Sequence, residues 1–205
     1  MKKVTLLFAN NNPYYKKTVE SVRDISDEIH IKFSKDFAGD QYSVLSAIRK
    51  LAPKKVYSYF EDDYDLKTDL DIQEKLLREI DRDNVDLVIT VTSGEIFQPA
   101  IVQEINDFWN SNKLAMMFSY DKFITDDDRA VFGHLIYPNT PQMKVFKWRK
   151  KLSYIPYKGD GKIYNYRKSN DHWEAKTKVQ SYNCYTKEME KSFIKHLQDI
   201  GELKK

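Results

Sequence analysis

A chain of 205 residues with 41% hydrophobic and 32% charged residues is large enough for one well-cored soluble domain carrying an appendage. Aromatics at 14%, with only 6 Gly and 6 Pro, exclude a disordered or low-complexity chain, and the single Cys184 excludes an intramolecular disulfide and any multi-cysteine metal site. The net charge of +3 conceals an asymmetry: residues 144–178 hold eleven Lys/Arg against three Asp/Glu, a local +8, which leaves −5 for the rest.

The first element in chain order is Val4–Ala9, an apolar run shorter than the 7–15 residues of a signal-peptide core, so it reads as a strand. Tyr14–Ile25 follows as a helix with Tyr15, Val19 and Val22 on one face, and Glu28–Phe33 alternates as a strand. Asp40 suits the N-cap of a helix that runs to Leu51 and stops before Pro53. Val56–Phe60 is a third strand, Asp71–Ile80 a helix, Leu87–Thr92 a fourth strand, Ile96–Trp109 a helix and Leu114–Ser119 a fifth strand. Such alternation, with continuously apolar strands, predicts a three-layer Rossmann-like α/β domain on a parallel sheet over residues 1–137.

Beyond it, Val131–Tyr137 reads as a further strand, and Asn139 or Thr140 can cap a helix through Lys151. Lys162–Arg167 and Trp173–Val179 read as a β-hairpin about Ser169-Asn170-Asp171, and Lys187–Leu203 as a closing amphipathic helix. Residues 138–205 are thus expected as a basic helix-hairpin-helix extension packed on the α/β body. No apolar run approaches the ~20 residues of a membrane span, and with one cysteine the chain is expected in the cytoplasm.

Parallel sheets bind ligands beyond the carboxyl ends of their strands. The first strand delivers Ala9, Asn10, Asn11 and Asn12 there, the third Glu61, Asp62 and Asp63 with Asp71 behind, and the fourth Thr92, Ser93, Gly94 and Glu95. The fifth leads to Asp121 and Asp126-Asp127-Asp128. Carboxylates gathered at one edge repel unless a cation neutralises them, so a Mg²⁺ site there is one expectation, ordinary loop solvation the other.

The runs LLFANNNPYY, LKTDLDIQEKLL and VITVTSGEIFQPAI resemble the NYN branch of the PIN-like nucleases over residues 4 to about 120. That family shows Asp-Gly-x-Asn after its first strand, Lys-x-x-x-Asp opening a helix, and Ser-Gly-Asp after a later strand. The resemblance implies a metal-dependent ribonuclease with Asn12, Asp71 and Glu95 as catalytic residues and with Mg²⁺ or Mn²⁺ held by Asp71, Glu95 and Asp126. Ala9 stands where the family has its first Asp, and Glu95 where it has Asp, which implies an impaired site.

A second likeness points to another class. TSG after a buried strand, together with YSVLSAIRKLAPKKVYSYF, resembles CRISPR-associated Rossmann-fold sensor domains. That resemblance implies a homodimer and a non-enzymatic site for cyclic oligoadenylate, with Asn10 and the backbone amides of Thr92, Ser93 and Gly94 holding the nucleotide ligand.

In the tail, Lys147, Trp148, Arg149, Lys150, Lys151, Tyr164 and Tyr166 interleave cations and aromatic faces, the composition of a surface for single-stranded nucleic acid. The same aromatics also suit the core face of a hairpin. Asp160 followed by Glu174 and Lys176 has the ligand pattern of restriction-type nucleases, a third reading.

Overall fold

The computed structural model describes residues 1–10, 12–34, 37–53, 56–59, 84–126, 129–132, 142–148, 153–155, 162–164 and 172–184. Strand β1 (Lys3–Ala9) is apolar along almost its whole length because both of its edges are taken by parallel neighbours. These are β2 (Glu28–Phe33) on one side and β4 (Leu87–Thr92) on the other, and β3 (Val56–Tyr59) continues parallel beyond β2. Helix α1 (Tyr15–Arg23) joins β1 to β2, and α2 (Gln41–Leu51) joins β2 to β3. Asp40 caps α2 as its side-chain chemistry predicts, Oδ1 accepting from the Tyr42 amide at 3.0 Å and Oδ2 from the Ser43 hydroxyl at 2.6 Å.

After β4 come the two-residue β5 (Glu95–Ile96), α3 (Ile101–Asn110) and β6 (Ala115–Phe118). The helix expected from Ile96 therefore begins five residues later. Glu95 and Ile96 pair with another strand, and Gln98 precedes a proline, which disfavours helical backbone there. The remaining strands are β7 (Tyr120–Asp126), β8 (Arg129–Phe132), β9 (Gln142–Lys147), β10 (Ser153–Ile155), β11 (Lys162–Tyr164), β12 (His172–Glu174) and β13 (Val179–Cys184).

The fold is mixed α/β, Rossmann-like, about one parallel-rich sheet of seven described strands ordered β12-β6-β9-β4-β1-β2-β3. A four-stranded sheet, β5-β13-β7-β8, and the pair β10-β11 accompany it. The helix expected through residues 140–151 is corrected: Gln142–Lys147 is a central strand, antiparallel to both β4 and β6. Val145 is fully buried between Ile89 and Met116, and pairing on both edges overrides local helix preference. The expected hairpin is corrected too. Lys162–Tyr164 pairs with Ser153–Ile155, while His172–Glu174 runs parallel to β6 and Val179–Cys184 parallel to β7. The helices expected at Asp71–Ile80 and Lys187–Leu203 lie outside the described residues. Among the described residues no helix is long and apolar enough to cross a membrane.

The two faces of the large sheet differ. Leu7, Ala9, Ile29, Ile31, Ile89, Val91, Met116 and Val145 form one cluster with Val19 and Val22 of α1, Leu45 and Ile48 of α2, and Ile101, Ile105 and Phe108 of α3. The alternate residues face the other way. Register aligns His172, Ala115, Phe146, Val88, Val4 and Glu28 in one row there, His30, Leu6 and Thr90 in the next, and Lys32, Phe8 and Thr92 in the last, at the carboxyl end where α/β sheets bind ligands. The Thr90 hydroxyl donates to the Lys144 carbonyl at 3.4 Å.

Trp148 follows β9, its amide donating to the Asp86 carbonyl at 2.8 Å and its side chain only 8% exposed. Trp148→Ala is expected to destabilise the fold by about 3–5 kcal/mol, measured by urea denaturation.

Candidate functional site

The chain turns at Ser93-Gly94, directly after β4, and every amide of this turn is committed within the protein. The Thr92 amide donates to Glu95 Oε2 at 2.8 Å, the Ser93 amide to the Phe8 carbonyl at 2.9 Å, and the Gly94 amide to the Thr18 hydroxyl of α1 at 2.9 Å. The backbone cradle expected for a cyclic nucleotide is therefore corrected: its donors at Thr92, Ser93 and Gly94 are already paired, and any ligand here is read by side chains.

Gly94 adopts φ +95°, which an L side chain rarely takes, and a Cβ there would run into the Asn12 amide and the Tyr182 carbonyl. Asn12 is brought to the turn as the sequence suggested, but as a brace. Its Nδ2 donates to the Tyr182 carbonyl at 2.5 Å and its Oδ1 accepts from the Tyr14 amide at 2.9 Å. Asn10 supports Asn12, accepting its amide at 3.0 Å, and Tyr182 returns its own amide to the Gly94 carbonyl at 2.8 Å. Tyr14 and Tyr182 stack with ring centres 5.0 Å apart. On the α1 side the carboxyl edge of β1 and β4 is thus tied to β13.

Glu95 is buried, and so is Lys144 of β9, whose ammonium lies 2.9 Å from Glu95 Oε1 and 3.0 Å from Oε2. The buried Tyr120 hydroxyl also bonds this carboxylate. Burial first, and then the negative charge of Glu95, push the Tyr120 pKa well above the usual phenol range, so the phenol stays a donor. Three donors on one carboxylate satisfy it and cancel its charge.

That arrangement does not fit a divalent cation. Among the described residues no three His, Cys, Asp or Glu side chains form a metal-binding group, and Glu95 is engaged by an ammonium. Ser181 of β13 pairs with both Glu95 and Lys122, and Asp126 lies four residues further along β7, about 13 Å at ~3.3 Å per residue. Asp71 lies outside the described residues.

The expected nucleic-acid residues divide likewise. Lys147 donates to the Ser111 carbonyl and lies 5.1 Å from the Phe108 ring centre and 5.6 Å from that of Trp109, so it packs on α3, beside buried Trp148. Tyr164 is placed in β11, while Arg149, Lys150, Lys151 and Tyr166 lie outside the described residues. So does Asp160. Glu174 projects to solvent from β12, 3.6 Å from His172, and the Lys176 amide donates to Glu104 at 2.8 Å.

No family model and no curated protein matches the sequence. Similar solved structures include a 4-diphosphocytidyl-2C-methyl-D-erythritol synthase from Anaerococcus prevotii, 15% identical with TM-score 0.47, covering 71% of this chain and 70% of that one. A putative glucose-1-phosphate thymidylyltransferase from Bacillus anthracis is 14% identical with TM-score 0.39, covering 100% of this chain and 79% of that one. The first is a synthase and the second a thymidylyltransferase by name. The metal-dependent nuclease expectation is corrected: Glu95, one of its expected metal ligands, is a buried partner of the Lys144 ammonium.

Sequence reading missed Lys144, Tyr120, Lys32 and Phe8. The available signal was a lysine inside the apolar run Met143–Phe146, where a strand buried on both sides carries a charge.

Gly94→Ala is expected to cost roughly 1–3 kcal/mol from backbone strain alone, with the clash against Tyr182 in addition, read by chemical denaturation. Lys144→Met, which strands a buried carboxylate, is expected to cost about 3–5 kcal/mol. Glu95→Gln in the same chain should recover most of that loss, because the uncharged amide needs no counter-charge and its carbonyl still accepts from the Thr92 amide.

Proposed function

We propose that this chain is a nucleotide-binding α/β domain that takes a nucleoside phosphate at the carboxyl edge of its sheet, as substrate for group transfer. One observation carries the reading. At the switch point between β1 and β4, the sheet face away from the three described helices ends in the row Lys32–Phe8–Thr92, and the neighbouring Thr90 hydroxyl donates to the Lys144 carbonyl. An aromatic face flanked by hydroxyl and ammonium groups suits a ligand that joins a planar base to an anionic phosphate.

The strand order supports that location, because connections leave β1 in one direction and return at β4 in the other, where open α/β sheets form their crevice. Phe8, Thr90 and Thr92 are half-buried, whereas their neighbours Leu7, Ala9, Ile89 and Val91 on the opposite face are buried. Transfer is favoured over hydrolysis because the nearby carboxylate, Glu95, is occupied by the Lys144 ammonium, the Thr92 amide and the Tyr120 hydroxyl rather than directed at a water.

Calorimetric titration with the four common nucleoside triphosphates tests the proposal. Saturable binding of at least one is expected, and Phe8→Leu, which keeps an apolar side chain but removes the ring, should weaken it about tenfold, since base stacking is worth ~1–3 kcal/mol. No saturation at millimolar ligand, or full affinity in the Phe8→Leu variant, would overturn it.

A further inference from the structure

Lys144 and Glu95 form a buried ion pair at the carboxyl edge of the sheet. A buried ion pair often contributes no more stability than a well-packed hydrophobic pair, so its presence in a central strand calls for another use. Its surroundings supply one. An ammonium has three N–H donors, and the two oxygens of Glu95 account for two of them. Among the described residues the third meets no acceptor, the Tyr120 ring centre lying 5.9 Å away.

The Thr92 hydroxyl likewise has no described partner, although the Thr92 amide is bonded. Glu95 Oε2 accepts at once from the Thr92 amide and the Lys144 ammonium, so one oxygen atom holds residue 92 and the lysine head together. The Thr90 hydroxyl donates to the Lys144 carbonyl at 3.4 Å, and Thr92 lies one step nearer the carboxyl end on the same face as Thr90.

We propose that Lys144 is the anion-recognising residue of this site, its third N–H and the Thr92 hydroxyl taking a phosphoryl oxygen of the ligand. Glu95 is its positioning residue. The assignment rests on the nucleotide reading above. Glu95 fixes the ammonium and halts its swing into solvent, and the pair stays net neutral until a phosphate adds charge. The group recognised is a terminal or bridging phosphate, whatever the base.

The experiment compares each nucleoside triphosphate with its nucleoside, and adds inorganic pyrophosphate alone. It uses the wild-type chain, Lys144→Arg and the double variant Glu95→Gln/Lys144→Met, in which the glutamine carbonyl still accepts from the Thr92 amide. Wild type is expected to prefer the triphosphate at least tenfold over the nucleoside, with affinity for pyrophosphate that falls as salt rises. In the double variant the loss for triphosphate should exceed the loss for nucleoside at least tenfold, and Lys144→Arg should keep most of the preference. Undiminished preference in the double variant, or salt-independent pyrophosphate binding by wild type, overturns the assignment of Lys144 alone. Equal affinity of wild type for nucleoside and triphosphate does the same. Wild type that binds none of these ligands overturns the nucleotide reading and this inference with it.

Discussion

The seven-stranded sheet depends on β9. Strands β4 and β6 do not touch; each pairs with β9 instead, β4 through Leu87–Ile89 and β6 through Ala115–Phe118. Remove that strand and two rows of buried backbone amides and carbonyls lose their partners, each loss costing about 1–3 kcal/mol. The same strand carries Val145 into the helix-covered core and brings the Lys144 ammonium to Glu95, so closing the sheet and seating that charge are one event.

The small sheet depends on the large one through the turn after β4. Glu95 begins β5 and is also the carboxylate that accepts from Thr92, Lys144 and Tyr120. Its backbone pairs with Ser181, and β13 in turn lies along β7 for six residues. Gly94 makes the corner feasible, since its missing Cβ is the space the Asn12 amide and the Tyr182 carbonyl occupy. On the far side, Glu104 of α3 accepts from the Lys176 and Thr177 amides and so fixes the approach to β13.

The first four parallel strands and the first two helices were legible because their signals are local: apolar runs of strand length, helical spacing of Val19 and Val22, and an aspartate at a helix start. The later strands were not. β9 pairs with strands more than twenty residues away, and β12 and β13 run parallel to β6 and β7, so no turn signal marks any of these partnerships. At the site, Asn12 and the Ser93-Gly94 turn follow adjacent strands, and Asn12 sits against Gly94 as a brace. The Glu95–Lys144 pair was not legible, because a carboxylate in sequence does not announce the ammonium that will neutralise it. Lys144 looked like the first of a basic run and is buried instead.

The late arrival of β9 has a consequence for the chain as it is made. Until residue 147 leaves the ribosome, β4 offers an unpaired edge beside β1, in a segment rich in valine and isoleucine. Such an edge invites pairing with any extended strand nearby. A nascent chain with β1 to β4 already assembled is therefore a half-built sheet open to the wrong neighbour, and its vulnerability ends when Val145 and its flanking residues slide in.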